Sequence, residues 1–351
     1  MKDHHWTWIY YGCFSGLLVT GTGIYFGRAW TKDEPGIKHP DPLDFLDSIG
    51  YALLYTIIRY LFEEALRDIV FSKVKINDPV NFELKKVKCL KEVFCSVWYS
   101  SMTILGLCFF ANTDSLPTSC FGSENCEDMA RSFFIRDTHW TVRMYFMIQF
   151  AYHCHTLVYY EIANRKKRLP EYNEMMLHHI LAVGLIILCY TSGFFNYGIT
   201  FLMIADGTDF FLNLAKVCRD LRLFQPYDAK IVDGVFLTMI VSWAWFRAYV
   251  LPWCVLRSCY IALFKVLQGE EKAFFHHPAI SKFISTLVVA YAMKVLLLSI
   301  LGVLNFYWVF IMLRMAYGRI FLKHKSYPNT THGDELQAHE KNQNPTKPKN
   351  S

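Results

Sequence analysis

Two adjacent imidazoles, His178 and His179, open one apolar run, and two carboxylates, Asp206 and Asp209, lie inside the next. Near neutral pH an imidazole can act as base or nucleophile, and a carboxylate can orient it or raise its basicity. Ionisable groups at bilayer depth are expensive, so they face a bundle interior or a wet cavity and mark a candidate site. Asp206 and Asp209 are three apart, Asn213 follows four later and Lys216 three after that. At about 3.6 residues per turn these make one polar stripe on a helix otherwise surfaced with Phe, Leu, Met and Ile. Such a stripe cannot face lipid. Between the two runs lies a short break over residues 192–198, containing Gly193, Asn196 and Gly198. If that break is tight, the helices run antiparallel and the His pair can reach the carboxylates across the interface.

The elements that must position these groups are membrane helices. The chain has 351 residues, 53% of them hydrophobic and 17% aromatic, which is no ordinary soluble domain. Apolar runs near the roughly 20 residues that cross a bilayer recur along it. The spacing predicts spans over 6–26, 48–71, 93–110, 140–163, the two helices of the hairpin, 234–256 and 283–313. The fold class is therefore all-α, a polytopic bundle of about seven to eight transmembrane helices. Residues 1–47 read as an anchor helix and loop, 48–322 as the transmembrane catalytic domain and 323–351 as a disordered cytosolic tail. The first run is longer than a signal-peptide core and only Lys2 precedes it as a basic residue, so it is expected to be retained. Residues 258–280 read as a loop.

The net charge of +6 sits in connecting segments, which makes it a topology signal and not a nucleic-acid surface. With alternate loops in the cytosol, the basic segments 73–91, 165–168, 219–230 and 314–325 share one side. The acidic loop with Cys120 and Cys126 falls on the other, where a disulfide can form if that side is an oxidising lumen. No C-x-x-C pair is present and the His spacings do not fit a di-iron site, so no metal is expected. His153 and His155, two apart on one span, point to different faces and read as polar packing. Lys294 and Asn305 are eleven apart, about three turns, and could line one cavity. The end Lys347-Pro348-Lys349-Asn350-Ser351 has the form of a K-x-K-x-x retrieval signal of endoplasmic reticulum membrane proteins, and also of a plain basic tail.

With the hairpin in place, the chain resembles the TLC-domain family over roughly residues 51–321, and within it the ceramide synthases. His178 and His179 match that family's His pair, Tyr190 its Tyr and Gly198 its Gly. Asp206 and Asp209 match its two acids and Lys216 its Lys, without a gap. Arg247 with Pro252, and Leu313-Arg314-Met315, resemble its later landmarks. Three positions depart: Ala205 stands where the family has His, Asn196 where it has Arg and Asn213 where it has Glu.

The resemblance implies an acyl-CoA-dependent N-acyltransferase acting on the amine of a sphingoid base in the endoplasmic reticulum membrane. Acyl-CoA is then a co-substrate, no separate cofactor is implied, and the partners are both substrates and membrane lipid, with a homo- or hetero-oligomer left open. His178 or His179 would be nucleophile or base, oriented by Asp206 and Asp209. Tyr190, Asn213, Lys216 and Arg247 would contact substrate. The alternative is a non-catalytic protein of the same family that binds or moves lipid or accompanies the translocon, for which Ala205 is the best support.

Overall fold

The computed structural model describes residues 42–74, 82–111, 140–164, 172–221, 227–270 and 284–320. The expected first span, the Cys120 and Cys126 loop, His4, His5, His276, His277 and the tail lie outside them. A short 3-10 turn, Pro42–Leu46, leads into α1 (Asp47–Lys73). There follow α2 (Phe82–Phe110), α3 (Trp140–Asn164), α4 (Tyr172–Thr191) and α5 (Phe195–Asp220). Next comes a continuous rod made of α6 (Asp228–Trp243), a π-helical stretch (Ala244–Leu256) and α7 (Arg257–Leu267), and last α8 (Ile284–Ile320). Among the described residues the only pairing of extended backbone is a single antiparallel bridge, Val74 with Leu221.

Five of these helical segments are long and apolar enough to cross a membrane: Leu43–Lys73, Lys86–Phe110, Phe195–Asp220, Lys230–Leu267 and Ser285–Gly318. Met176–Thr191 is a shorter apolar helix. The chain is a multi-pass membrane protein. Its outward faces carry large apolar side chains, such as Leu53, Ile57 and Leu61 on α1 and Val303 and Phe310 on α8. In water such faces would drive aggregation; in a bilayer lipid tails cover them. The inward faces form one core of Tyr145, Phe146, Leu185, Tyr190, Leu202, Val250 and Leu287.

Two ends of the bundle fix the helix directions. At one, Arg143 of α3 bonds Asp47 at 2.5 Å and Asp44 at 3.0 Å, and the Tyr190 hydroxyl donates to Asp44 at 2.5 Å. At the other, the Val74 to Leu221 bridge joins the ends of α1 and α5. Thus α1, α3 and α5 run one way and α2 and α4 the other. The basic side chains Lys88 and Arg219 lie at the second end, paired with Glu92 at 3.9 Å and Asp220 at 2.7 Å.

The hairpin break is tighter than expected. α4 is closed by a Schellman motif in which Phe194 N–H donates to the Cys189 carbonyl at 2.7 Å and Gly193 N–H to that of Tyr190 at 3.1 Å. Gly193 holds φ at 70°, a conformation that penalises any side chain. The helix resumes at Phe195, so Asn196 and Gly198 lie in the first turns of α5 and not in a loop. Gly198 serves close approach instead: a methyl there would overlap the Phe146 ring and come within 3.0 Å of the Cys189 β-carbon.

A second correction concerns the segment after residue 256. It was expected as loop, yet the rod runs on through Pro252 to Leu267. The π stretch accommodates the proline, whose missing N–H and ring would break a regular α-helix. At about 1.5 Å per residue the 38-residue segment Lys230–Leu267 is near 57 Å long, well beyond a hydrocarbon core of about 30 Å.

Candidate functional site

Neighbouring residues on a helix point about 100° apart, and α4 uses this to give its two imidazoles different surroundings. His179 turns to α3, its Nδ1 3.3 Å from Nδ1 of His153. His178 packs edge-on against Trp308 of α8 with ring centroids 5.4 Å apart, and its buried Nδ1 has no hydrogen-bond partner among the described residues. The expected divergence of His153 and His155 holds, since His155 meets the Tyr55 ring at 4.7 Å. His153 does more than pack, because it touches one member of the central pair.

The carboxylates are held by groups other than imidazoles. Gln149 of α3 donates its amide to Asp206, and Arg247 of the π stretch pairs with Asp209 at 2.6 Å. Arg247 also donates from Nε to the Thr208 hydroxyl at 2.6 Å and from a terminal nitrogen to the Ala205 carbonyl at 2.9 Å. Its guanidinium lies 4.0 Å from the centroid of the Trp243 ring. The anticipated direct His to carboxylate bridge is therefore replaced by an arginine standing beside the imidazole. The physical reason is helix phase: the stripe on α5 faces α3 at Asp206 and the π stretch at Asp209, while His178 shares a cavity with Ala205, one residue before the stripe.

His178, Arg247 and Asn305 supply the polar lining of one small cavity; Ala205, Leu251 and Leu301 are among its apolar walls. Its free volume of about 10 Å³ is near the lower limit for a single small polar group or water. Of the pair Lys294 and Asn305, only Asn305 reaches it. The Lys294 Nζ lies instead over the rings of Phe194 at 2.9 Å, Tyr291 at 3.8 Å and Tyr197 at 4.2 Å.

The remaining expected residues lie elsewhere. Tyr190 is at the Asp44 end of the bundle, Asn213 donates to the Asp209 carbonyl at 2.8 Å, and Lys216 is near enough to Glu92 and Asp209 for their charges to interact. Gln149, Thr208, Trp243 and Trp308 escaped the sequence reading. A signal existed for Gln149: Tyr145, Gln149 and His153 recur every four residues, a polar stripe on α3. Among the described residues one trio could hold a cation, Cys89 with Glu92 and Asp220. It lies at the basic end, where Arg219 already grips Asp220 at 2.7 and 2.8 Å.

An all-helical membrane bundle with imidazoles, carboxylates and an arginine gathered between α4, α5 and the π stretch is the class that fold and site define. Within it the chain belongs to the TLC domain family, whose sequence profile matches residues 88–314. It is 26% identical to ASC1-like protein 1 of Oryza sativa subsp. japonica over 316 residues, covering 87% of this chain and 93% of that one. It is 24% identical to ceramide synthase 1 LOH3 of Arabidopsis thaliana over 277 residues, 77% of this chain and 82% of that one. To ceramide synthase LAG1 of Saccharomyces cerevisiae it is 22% identical over 280 residues, 79% and 62% of the two chains.

Proposed function

We propose that the protein transfers the acyl group of a fatty acyl-CoA to the amine of a sphingoid base, with His178 as the reacting imidazole. The observation that carries this is the placement of His178 on the cavity beside Arg247, with an unpartnered Nδ1. The relatives named ceramide synthase supply the substrate class.

In the reaction the amine nitrogen attacks the thioester carbonyl carbon. A C–N bond forms, the C–S bond breaks, the nitrogen gives a proton to His178, and that proton leaves with the thiolate of CoA. An imidazole suits both transfers because it is neutral and charged with similar ease. The positive charge of Arg247, fixed by Asp209, Thr208 and the Ala205 carbonyl, favours the oxyanion that develops on the thioester oxygen. His179, braced by His153, positions α4. Asp206, gripped by Gln149, positions α5. The work of the carboxylates is thus to hold Arg247 and α3 in place. Acyl-CoA arrives from the basic end, where lysines and arginines meet its phosphates. On this reading the enzyme works in the endoplasmic reticulum membrane, as the relatives named ceramide synthase support, with residues 48–322 as the catalytic unit and the tail in the cytosol. No further cofactor takes part.

The test is N-acylation of a sphingoid base by microsomes, and by purified protein, with a panel of acyl-CoAs. Wild type forms product, and His178→Ala loses about 10²–10⁴-fold in turnover while still reaching the membrane. His179→Ala loses less, because its ring serves the contact with His153. A second reading, lipid binding without turnover, is favoured by Ala205 alone. Saturable binding of the base with no product from wild type would move the assignment there.

A further inference from the structure

We propose that Asn305 holds the acceptor amine, whose nitrogen lies between the side-chain carbonyl of Asn305 and Nδ1 of His178. The proposal deepens the acyltransferase reading and rests on it. Asn305 sits on α8 and is 1% exposed, yet its Oδ1 has no hydrogen-bond partner among the described residues. His178, 6% exposed, leaves its Nδ1 in the same condition, and both residues line the same cavity. Buried polar atoms are nearly always satisfied, and leaving one unmet is costly. Two of them on one small cavity specify what must enter it.

The specification is chemical. The carbonyl of Asn305 accepts and never donates, and in the tautomer that carries its hydrogen on Nε2 the Nδ1 of His178 also accepts. A ligand atom between them must therefore bring at least two hydrogens. A carboxylate, a carbonyl or the thioester itself brings none. A secondary alcohol brings one. A primary ammonium brings three, enough for both acceptors with one left over. The third polar wall, Arg247, offers no competing acceptor, since its guanidinium only donates and is engaged by Asp209, Thr208 and the Ala205 carbonyl.

This arrangement also orders the protons. The bound ammonium sheds its third hydrogen to solvent as it becomes the reactive amine; the two that remain point at His178 Nδ1 and Asn305, which exposes the lone pair on the side away from both. That lone pair forms the C–N bond as the C–S bond of the thioester breaks; the nitrogen then gives one hydrogen to His178 Nδ1, and that proton departs with the thiolate. Asn305 neither gains nor loses a proton; it sets where the nitrogen stands.

The experiment measures KM for sphinganine and for acyl-CoA separately, with kcat, in wild type, Asn305→Leu and Asn305→Asp. A substrate hydrogen bond to a charged group is worth about tenfold to a hundredfold in affinity. Asn305→Leu is expected to raise KM for sphinganine by that factor and leave KM for acyl-CoA within about twofold. Asn305→Asp, which keeps an acceptor oxygen, restores most of the loss. Equal changes in both KM values, or an unchanged sphinganine KM, overturn the assignment; the second is the result expected if only a water occupies the place. A second measurement needs no variant. Octadecylamine and octadecanol are compared as competitors of radiolabelled sphinganine binding to the wild-type protein. The amine must win by about tenfold or more, and equal competition overturns the proposal. Because binding is read without turnover, a wild type that makes no product refutes the acyltransferase reading while this second measurement still decides the amine position.

Discussion

Arg247 and Lys294 are both buried cations in the bundle, 3% and 0% exposed, and the bundle holds them in contrasting ways. Arg247 is held by directed bonds: a carboxylate, a hydroxyl and a backbone carbonyl of α5 all accept from it. Its planar fork allows few other orientations, so the π stretch cannot slide along α5 without breaking the set. Lys294 lies among the faces of Phe194, Tyr197 and Tyr291, an attraction that varies slowly with position. The first arrangement fixes geometry beside a reacting group. The second fills the core near the α4 to α5 turn and tolerates adjustment. A buried charge is thus not by itself a sign of chemistry; the directionality of its partners is the better sign.

The largest expected effect comes from breaking the directed set. Arg247→Met leaves the Asp209 carboxylate, 13% exposed, without its cation, and removal of one partner of a buried pair costs about 3–5 kcal/mol. Melting of the detergent-solubilised protein should fall accordingly and acyl transfer should vanish, with Arg247→Lys recovering little because it cannot reach three acceptors. A variant that melts and turns over like wild type would remove Arg247 from its assigned place. Next is Gly198→Ala, adjacent to Tyr197, one of the rings around Lys294. Its methyl meets the Phe146 ring, and overpacking of this kind costs about 1–3 kcal/mol. If its melting point is unchanged, α5 and α3 are not in the close contact described. The smallest effect should be that of Lys294→Met. An apolar chain of similar length keeps the packing and sheds the desolvation cost, so the change in stability stays within about 1 kcal/mol of zero. Should it cost as much as Arg247→Met, the two cations are equivalent and the contrast fails.

The hairpin was readable in the sequence because its signals are local. Glycines punctuate it, and four polar residues at helical spacing stand out against an apolar surface. Its true limits were less so: Asn196 and Gly198 look like turn residues, but one Gly at positive φ suffices to close α4, and Gly198 is there for the Phe146 ring. Partners on distant helices were hidden. Nothing local in the sequence pairs Gln149 with Asp206 or Arg247 with Ala205, since such contacts depend on the rotation of whole helices. Arg247 entered only through the family resemblance. The continuation of the rod to Leu267 was missed because the expected span ends at Leu256, where Arg257 and Ser258 follow the apolar run, whereas the chain stays helical through both.

One bond of the site bears on how its sequence can drift. Arg247 reaches position 205 through the carbonyl of the main chain, not through the side chain. Every amino acid supplies that oxygen. Codon changes at 205 therefore leave the anchor between the π stretch and α5 intact, and selection there acts only on what protrudes toward His178. At 209 the anchor is the side chain itself, and the same freedom does not exist. Lineages can thus exchange the residue at 205 and keep the scaffold, whereas a change at 209 alters scaffold and site together.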